Sequence, residues 1–440
     1  MSTDATTAFT REALFTQRLN AALDGLQDDV DRWRESLPAG TAIVHHISQF
    51  GALVDKAYTC LIQAYQTLNA GRSDDQERLF ESLVIGALTS QWMALQQAAS
   101  QRLASSPYAA ALAQFDKEAT RDYERLRQAL TESARAHVSQ SPPLVYLGRV
   151  AQLTLFHNAP SLLSVPFGAM AKVEKSRRFQ DDRVALAIPH EVSHAVLESV
   201  PDWQCELRRK VVDALARQES TGGQVVNPQH LALWHMMMDW LSEIVADMAG
   251  TALSGVAFAQ SGLWITVSSD DTVGVTDRTH PVALLRPYIH LATLKHLAQH
   301  VTTFGEAHAA EISGFENNLQ TVVGERLKRR FESTPKLMVV SLQQVKDELD
   351  KVVNQVLSTS LEALAGQSFG QVLLECATQD APSGDRLTPL PEWGAVADTE
   401  CEQFILDLPS AMRPDLATPE VFPLNVCCLL HLWFCCVPGA

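Results

Sequence analysis

The sequence predicts a mainly α-helical protein with a small β-sheet, an α+β fold in three regions, 1–140, 141–305 and 306–440. Three observations carry that expectation. From about Arg11 to Gln140, and again from Glu306 to Phe369, apolar residues return every three or four positions, the period of a helix with one buried face. Between these regions, LVYLGRVAQLTLF and PSLLSVPFGAM are rich in β-branched and aromatic residues, as strands are. The stretch HLALWHMMMDWLSEIVADMAGTALSGVAFAQSG is apolar nearly all round, as a helix buried on most sides would be.

A chain of 440 residues with 46% apolar composition can bury at least one substantial core. Its formal charge of -16 argues against sequence-independent binding to nucleic acid or to anionic membranes. The N-terminus, MSTDATTAFTREALFTQRL, lacks the basic start, apolar run and small-residue cleavage site of a secretory signal, so a cytoplasmic location is expected. Cys60, Cys205, Cys376 and Cys401 are scattered and the other cysteines crowd the end of the chain, so no disulfide framework is implied.

In the first region, breaks at Pro38-Ala-Gly40, Gly71-Arg-Ser73 and Ser105-Ser-Pro107 separate four helices with short connections, the pattern of an antiparallel bundle. Ser73-Asp-Asp-Gln76 has the form of a capping box opening the third. His45 and His46 are neighbours and point to different faces of a helix, so they read as packing or surface histidines. Composition shifts at Ser141-Pro-Pro143, after which two or three short strands are expected. Phe156-His157-Asn158-Ala159-Pro160 reads as a hairpin or sheet edge, with His157 a turn or core histidine.

Ala185 to Val200 reads ALAIPHEVSHAVLESV, and a helix is expected to start near Pro189, whose missing amide is harmless in a first turn. His190 and His194 then lie one turn apart on one face and can offer two imidazole nitrogens to one metal ion. Glu191, beside the first histidine, can take a proton from a water on that metal.

One long helix is expected from about Pro228 to Gly262, with His235, Asp239, Glu243 and Asp247 recurring every fourth residue as a polar stripe in an apolar helix. Buried carboxylates need a cation or hydrogen bonds to compensate them, and a zinc ion with its histidines would do so. A catalytic zinc commonly has three protein ligands and one open position, so one carboxylate must complete the set. Glu243 is the expected ligand and Asp247, one turn on, the acceptor of a ligating histidine's ring N–H; Asp239 and His235 are the weaker candidates.

The pairing of HEVSH with Glu243-Ile-Val-Ala-Asp247, of the form E-x-x-A-D, resembles the gluzincin zinc peptidases. It is most similar to the minigluzincins and the CAAX-prenyl-protease type, whose second helix carries E-x-x-A-D. Those enzymes often follow with a histidine-proline and an arginine on the next helix, and here Thr279-His280-Pro281 precedes Arg286. The resemblance runs from about Leu153 to Leu297 and implies a zincin-like catalytic core flanked by helical regions. It implies zinc on His190, His194 and Glu243, Glu191 as general base, and His280 or Arg286 steadying the oxyanion or the metal-site carboxylates. No stretch reaches the roughly 18 apolar residues of a spanning helix, so the sequence resembles the soluble members rather than the membrane-embedded ones. Pro281 is expected to open the helix VALLRPYIHLATLKHL and Pro287 to kink it.

In the last region, Arg326-Leu-Lys-Arg-Arg330 reads as a solvated basic face, and the chain ends in an apolar, cysteine-rich tail, Val426 to Ala440. That tail reads as a buried terminal element, as an acylated attachment to a membrane or partner, as an inhibitory segment that brings a thiolate to the metal, or as a second metal site using His431. The expected function is a zinc endopeptidase acting on a protein or peptide substrate, which is a dedicated partner protein or a wider set. The alternative is a scaffold in which zinc ties two helices together and the flanking helices recruit a partner.

Overall fold

Leu144–Gly148 reads LVYLG, with large side chains on both faces, and a strand of that kind needs cover on both sides. The computed structural model describes residues 11–378 apart from 38–40, 68–73, 104–105, 107, 149–151, 155–160, 167–186, 222–224, 269–280, 282 and 325–340. Helices α1 (Arg11–Ser36), α2 (Ala42–Thr67) and α3 (Asp74–Ser100) are followed by α4 (Ala109–Gln128) and the single turn α5 (Glu132–Arg135). The sheet comprises β1 (Leu144–Gly148), β2 (Gln152–Thr154) and β3 (Leu162–Pro166), in the order β1-β3-β2. β1 runs parallel to β3, with Leu144 opposite Leu162, and β2 runs antiparallel to β3. The expected mainly α fold with a small sheet is therefore what the chain forms.

Alternation along the strands divides the core. Leu144 and Leu162 enter a core lined by Leu19 and Val30 of α1, Ile47 and Phe50 of α2, and Trp92 and Leu95 of α3. Trp92 stacks on Phe50 with ring centroids 5.4 Å apart and donates from Nε1 to Asp29 at 2.6 Å. Val145, Leu147, Leu163 and Val165 enter the larger core on the opposite face, together with Leu112, Tyr123 and Leu126 of α4. The expected four-helix bundle is thus a group of three: α4 leaves it to cover the second face of the sheet, where it packs on α6 (Ala187–Leu197). His46, only 3% exposed, is held between the carbonyls of Ala42 and Pro142, a packing role as expected.

The outer edge of β1 is closed by side chains rather than by another strand. Asp116 accepts from the Val145 amide at 3.0 Å, and Arg102 donates to the Val145 carbonyl. Gln101 accepts from the Leu147 amide at 2.8 Å and donates to the Leu147 carbonyl at 2.9 Å. An open edge is a template for unwanted pairing, and these side chains remove it.

The chain continues through α7 (Trp203–Glu219), α8 (Pro228–Asp239) and α9 (Leu241–Ser268). The single helix expected over 228–262 is therefore two. Asn227 caps α8 by accepting from the Gln229 amide at 2.9 Å, and α8 ends at the buried Trp240, whose amide turns back to Met237 and Met238. The break separates the polar stripe: His235 and Asp239 are exposed on α8, whereas Glu243 and Asp247 are buried on α9. Gly255, at φ 63, interrupts α9 in a backbone conformation that side chains disfavour, and Phe258 folds back onto Gly250. Contrary to the sequence expectation, Leu241–Leu263 is long and apolar enough to cross a bilayer, with mean hydropathy 1.2. Its most apolar window is 78% buried inside the protein, the environment of a central core helix.

A short 3₁₀ turn, Ala283–Leu285, precedes α10 (Arg286–His300). Pro287 lies in the first turn of α10, where no amide is needed, so the expected kink is absent and the helix begins at Arg286 rather than at Pro281. Helices α11 (Thr302–Asn318), α12 (Leu342–Ser358) and α13 (Phe369–Thr378) follow, and Leu349, Val353, Phe369 and Leu373 join the larger core. A capping box opens α12: Ser341 accepts from the Gln344 amide at 3.1 Å and Gln344 from the Ser341 amide at 2.7 Å. Ser73, His157, Arg326 to Arg330 and the cysteine-rich tail lie outside the described residues.

Gln101→Ala leaves the buried Leu147 amide without an acceptor and should cost about 1–3 kcal/mol of stability. Urea unfolding of the variant checks this; an unchanged midpoint would show that water replaces the side chain.

Candidate metal centre

Helix α6 is short and buried along Ile188, Val192, Ala195 and Val196, which turns its histidine face toward α9. Within the first turn Pro189 lends its carbonyl to the Ser193 hydroxyl at 2.6 Å, and His190 and His194 follow on one side. Their Nε2 atoms stand 3.2 Å apart. Glu243, in the first turn of α9, brings Oε2 to 3.4 Å from His190 Nε2 and Oε1 to 3.4 Å from His194 Nε2. Two donors at about 2.0–2.1 Å from a tetrahedral zinc ion lie roughly 3.3 Å from each other, so this donor set fits the ion in both chemistry and spacing. Among the described residues it is the group of His, Cys, Asp and Glu side chains that can hold a metal ion. The side chains keep 9% to 11% exposure, so the site reaches solvent.

Both Nδ1 atoms face carboxylates. His190 Nδ1 lies 3.0 Å from Asp247, which is one turn beyond Glu243 and 1% exposed. Arg286 grips the same carboxylate with two bonds, Nε to Oδ2 at 2.8 Å and Nη2 to Oδ1 at 2.6 Å. Its Nη2 also stands 3.5 Å from Glu243. His194 Nδ1 lies 3.0 Å from Glu198 and 3.1 Å from the Ser242 hydroxyl, which itself donates to Glu198 at 2.7 Å.

These contacts decide the ionisation of the site. Burial works to raise the Asp247 carboxyl, but Arg286, His290 and His190 outweigh it and hold it below the usual carboxylate range. Burial likewise opposes the charge on Glu243, and the two imidazoles override it to hold the carboxyl well below its ordinary value. Burial would lower both ligand histidines; instead Asp247 and Glu243 raise His190, and Glu198 and Glu243 push His194 up to about 10. The carboxylates of Glu191, Glu198, Glu243 and Asp247 together outnumber the guanidinium of Arg286, and the pocket draws in positive charge.

Neither a protein-family model, nor a curated protein, nor a solved structure matches this chain. What the site can do therefore follows from its own residues. Of those, His190, His194, Glu243, Asp247 and Arg286 come together around one point. Glu191 sits half-buried on α6, and its charge helps keep Arg286 protonated. His280 lies outside the described residues. Asp239 is turned away, paired with Arg208 at 3.0 Å on the surface, because the break at Trp240 changes the direction of the chain.

The sequence reading missed Glu198 and Ser242. Glu198 follows His194 by four residues, the same spacing that pairs the histidines, and Ser242 precedes the ligand acid. A further layer was also missed. His290 of α10 is 2% exposed and its Nδ1 lies 3.0 Å from the Thr251 hydroxyl, which donates to the Asp247 carbonyl at 2.7 Å. With that hydroxyl proton committed, His290 is the donor, and its ring is neutral with Nδ1 protonated. Nε2 faces Gly262, where a Cβ would stand 2.7 Å away.

Burial drives the His290 ring down to about 4 from 6.5. The unfolded chain therefore binds this proton first as pH falls, and stability is lost between about 6.5 and 4. Urea unfolding at pH 7 and pH 4 should show wild type losing about 3 kcal/mol more than His290→Gln, which cannot titrate. An equal loss in both would rule out a buried neutral His290.

Proposed function

We propose that the chain is a zinc-dependent peptidase of the gluzincin type, acting on a protein or peptide substrate. The observation that supports this reading best is the meeting of three donors at tetrahedral spacing, with Glu191 beside the first of them on the same helix. Zinc at such a site lowers the pKa of water to about 7 and polarises a carbonyl.

The remaining work falls to the protein. Glu191 takes the proton from the attacking water and returns it to the leaving amine, a role that a partly solvated carboxylate beside the first ligand can fill. Asp247 holds His190 with Nδ1 protonated and Nε2 facing the other donors. Arg286 acts on the carboxylates: its bonds to Asp247 leave it poorly placed to serve an oxyanion. Stabilising the oxyanion is the role proposed for His280, from its place before Pro281 and Arg286 in the sequence.

Glu191→Gln should retain zinc at wild-type stoichiometry while kcat on a fluorogenic peptide library falls by roughly 10²–10⁴-fold. Full cleavage by that variant overturns the mechanism. A zinc-loaded wild type that cleaves no member of the library supports instead a zinc tie between α6 and α9.

A further inference from the structure

We infer that Glu198 and Ser242 are positioning residues for the second metal ligand, a step that rests on the reading of the site as a zinc centre. Three atoms form a triangle: His194 Nδ1, Glu198 Oε1 and Ser242 Oγ, with sides of 3.0, 3.1 and 2.7 Å. A carboxylate only accepts, and the serine proton is committed to it, so the contacts of His194 Nδ1 with both oxygens require a second hydrogen, carried by Nδ1. That places the lone pair of His194 on Nε2, which faces His190 and Glu243.

The triangle also couples two elements. Glu198 follows the last residue of α6, with its amide still bonded to the His194 carbonyl at 3.0 Å. Ser242 precedes Glu243 in the first turn of α9. One bridge therefore sets the rotation of His194 and the approach of Glu243 to it.

The two ligand histidines are supported differently. Asp247 behind His190 is buried and shares its charge with Arg286 through two hydrogen bonds. Glu198 behind His194 keeps 36% exposure and is held by the neutral Ser242. The packing between α6 and α9 relies on Val192, Ile244, Val245 and Met248, none of them more than 1% exposed. A polar triangle at the solvent edge adds little to the stability of that packing. Its effect falls on the ligand, because an acceptor behind a ligating imidazole fixes its tautomer and raises its basicity.

Competition of the full-length apo protein with a chromophoric chelator for Zn²⁺ tests this. Glu198→Ala should weaken zinc binding by roughly 10–100-fold. Glu198→Gln, whose amide oxygen still accepts the Nδ1 proton, should recover part of the loss, and Ser242→Ala should lose less than Glu198→Ala. The visible spectrum of Co²⁺-loaded Glu198→Ala should differ from that of wild type. Wild-type affinity in folded Glu198→Ala, or equal losses in Glu198→Ala and Glu198→Gln, overturns the assignment and leaves the peptidase reading standing. If Glu198→Ala does not fold, Glu198→Gln and Ser242→Ala carry the test, and wild-type affinity in both overturns it. A wild-type apo protein that takes up no zinc overturns both.

Discussion

The carboxylate of Asp247 imposes the strictest demand on this fold. It is 1% exposed in the second turn of an apolar helix, and a buried carboxylate without partners is strongly destabilising. Its partners come from two other helices, His190 from α6 and Arg286 from α10, so these elements must converge at one depth. Pro287 helps by defining where α10 starts: it occupies the first turn and leaves Arg286 at the helix entrance, facing α9.

Much of the site was legible because its spacing lies within single helices. His190 and His194 are one turn apart, as are Glu243 and Asp247, and a helix turns each spacing into a shared face. What sequence periodicity could not register is where a helix changes direction. His235, Asp239, Glu243 and Asp247 have one unbroken period on paper, yet Trp240 ends α8 and sends the first two to solvent. Pairings across elements were equally hidden. Nothing local to Ala109–Gln128 distinguishes a fourth bundle helix from a cover for the second face of a sheet, because both need one apolar stripe. The choice is made by β1, whose apolar residues on both faces need a layer on each side.

Support for the site extends outward in layers that become more apolar. Asp247 is backed by Thr251 through its carbonyl, Thr251 by His290, and His290 by the edge of Phe258, with ring centroids 5.2 Å apart. Phe258 reaches back only because Gly255 breaks the helix and Gly250 leaves room for the ring. The close approach of α9 to α10 is permitted by Gly262, where a Cβ would stand 2.7 Å from His290 Nε2. The cost of these glycines in helix propensity is offset by packing around the buried charge cluster of Asp247, Glu243 and Arg286.

The electrostatics bear on what the pocket is built to hold. Two imidazole Nε2 atoms face each other at 3.2 Å, with a carboxylate 3.4 Å from each. If both rings are neutral with Nδ1 bonded to Asp247 and Glu198, two lone pairs meet without a proton between them. If both are protonated, two cations stand in contact, tolerable only because the surrounding carboxylates are in excess. A proton between the rings serves both lone pairs, one nitrogen donating it and the other accepting, but leaves the anionic excess largely in place. A dication accepts from both nitrogens and the carboxylate at once and removes most of that excess, without any donor having to turn. Within the proposed function, a dication would thus meet demands of this arrangement that a proton alone leaves in place.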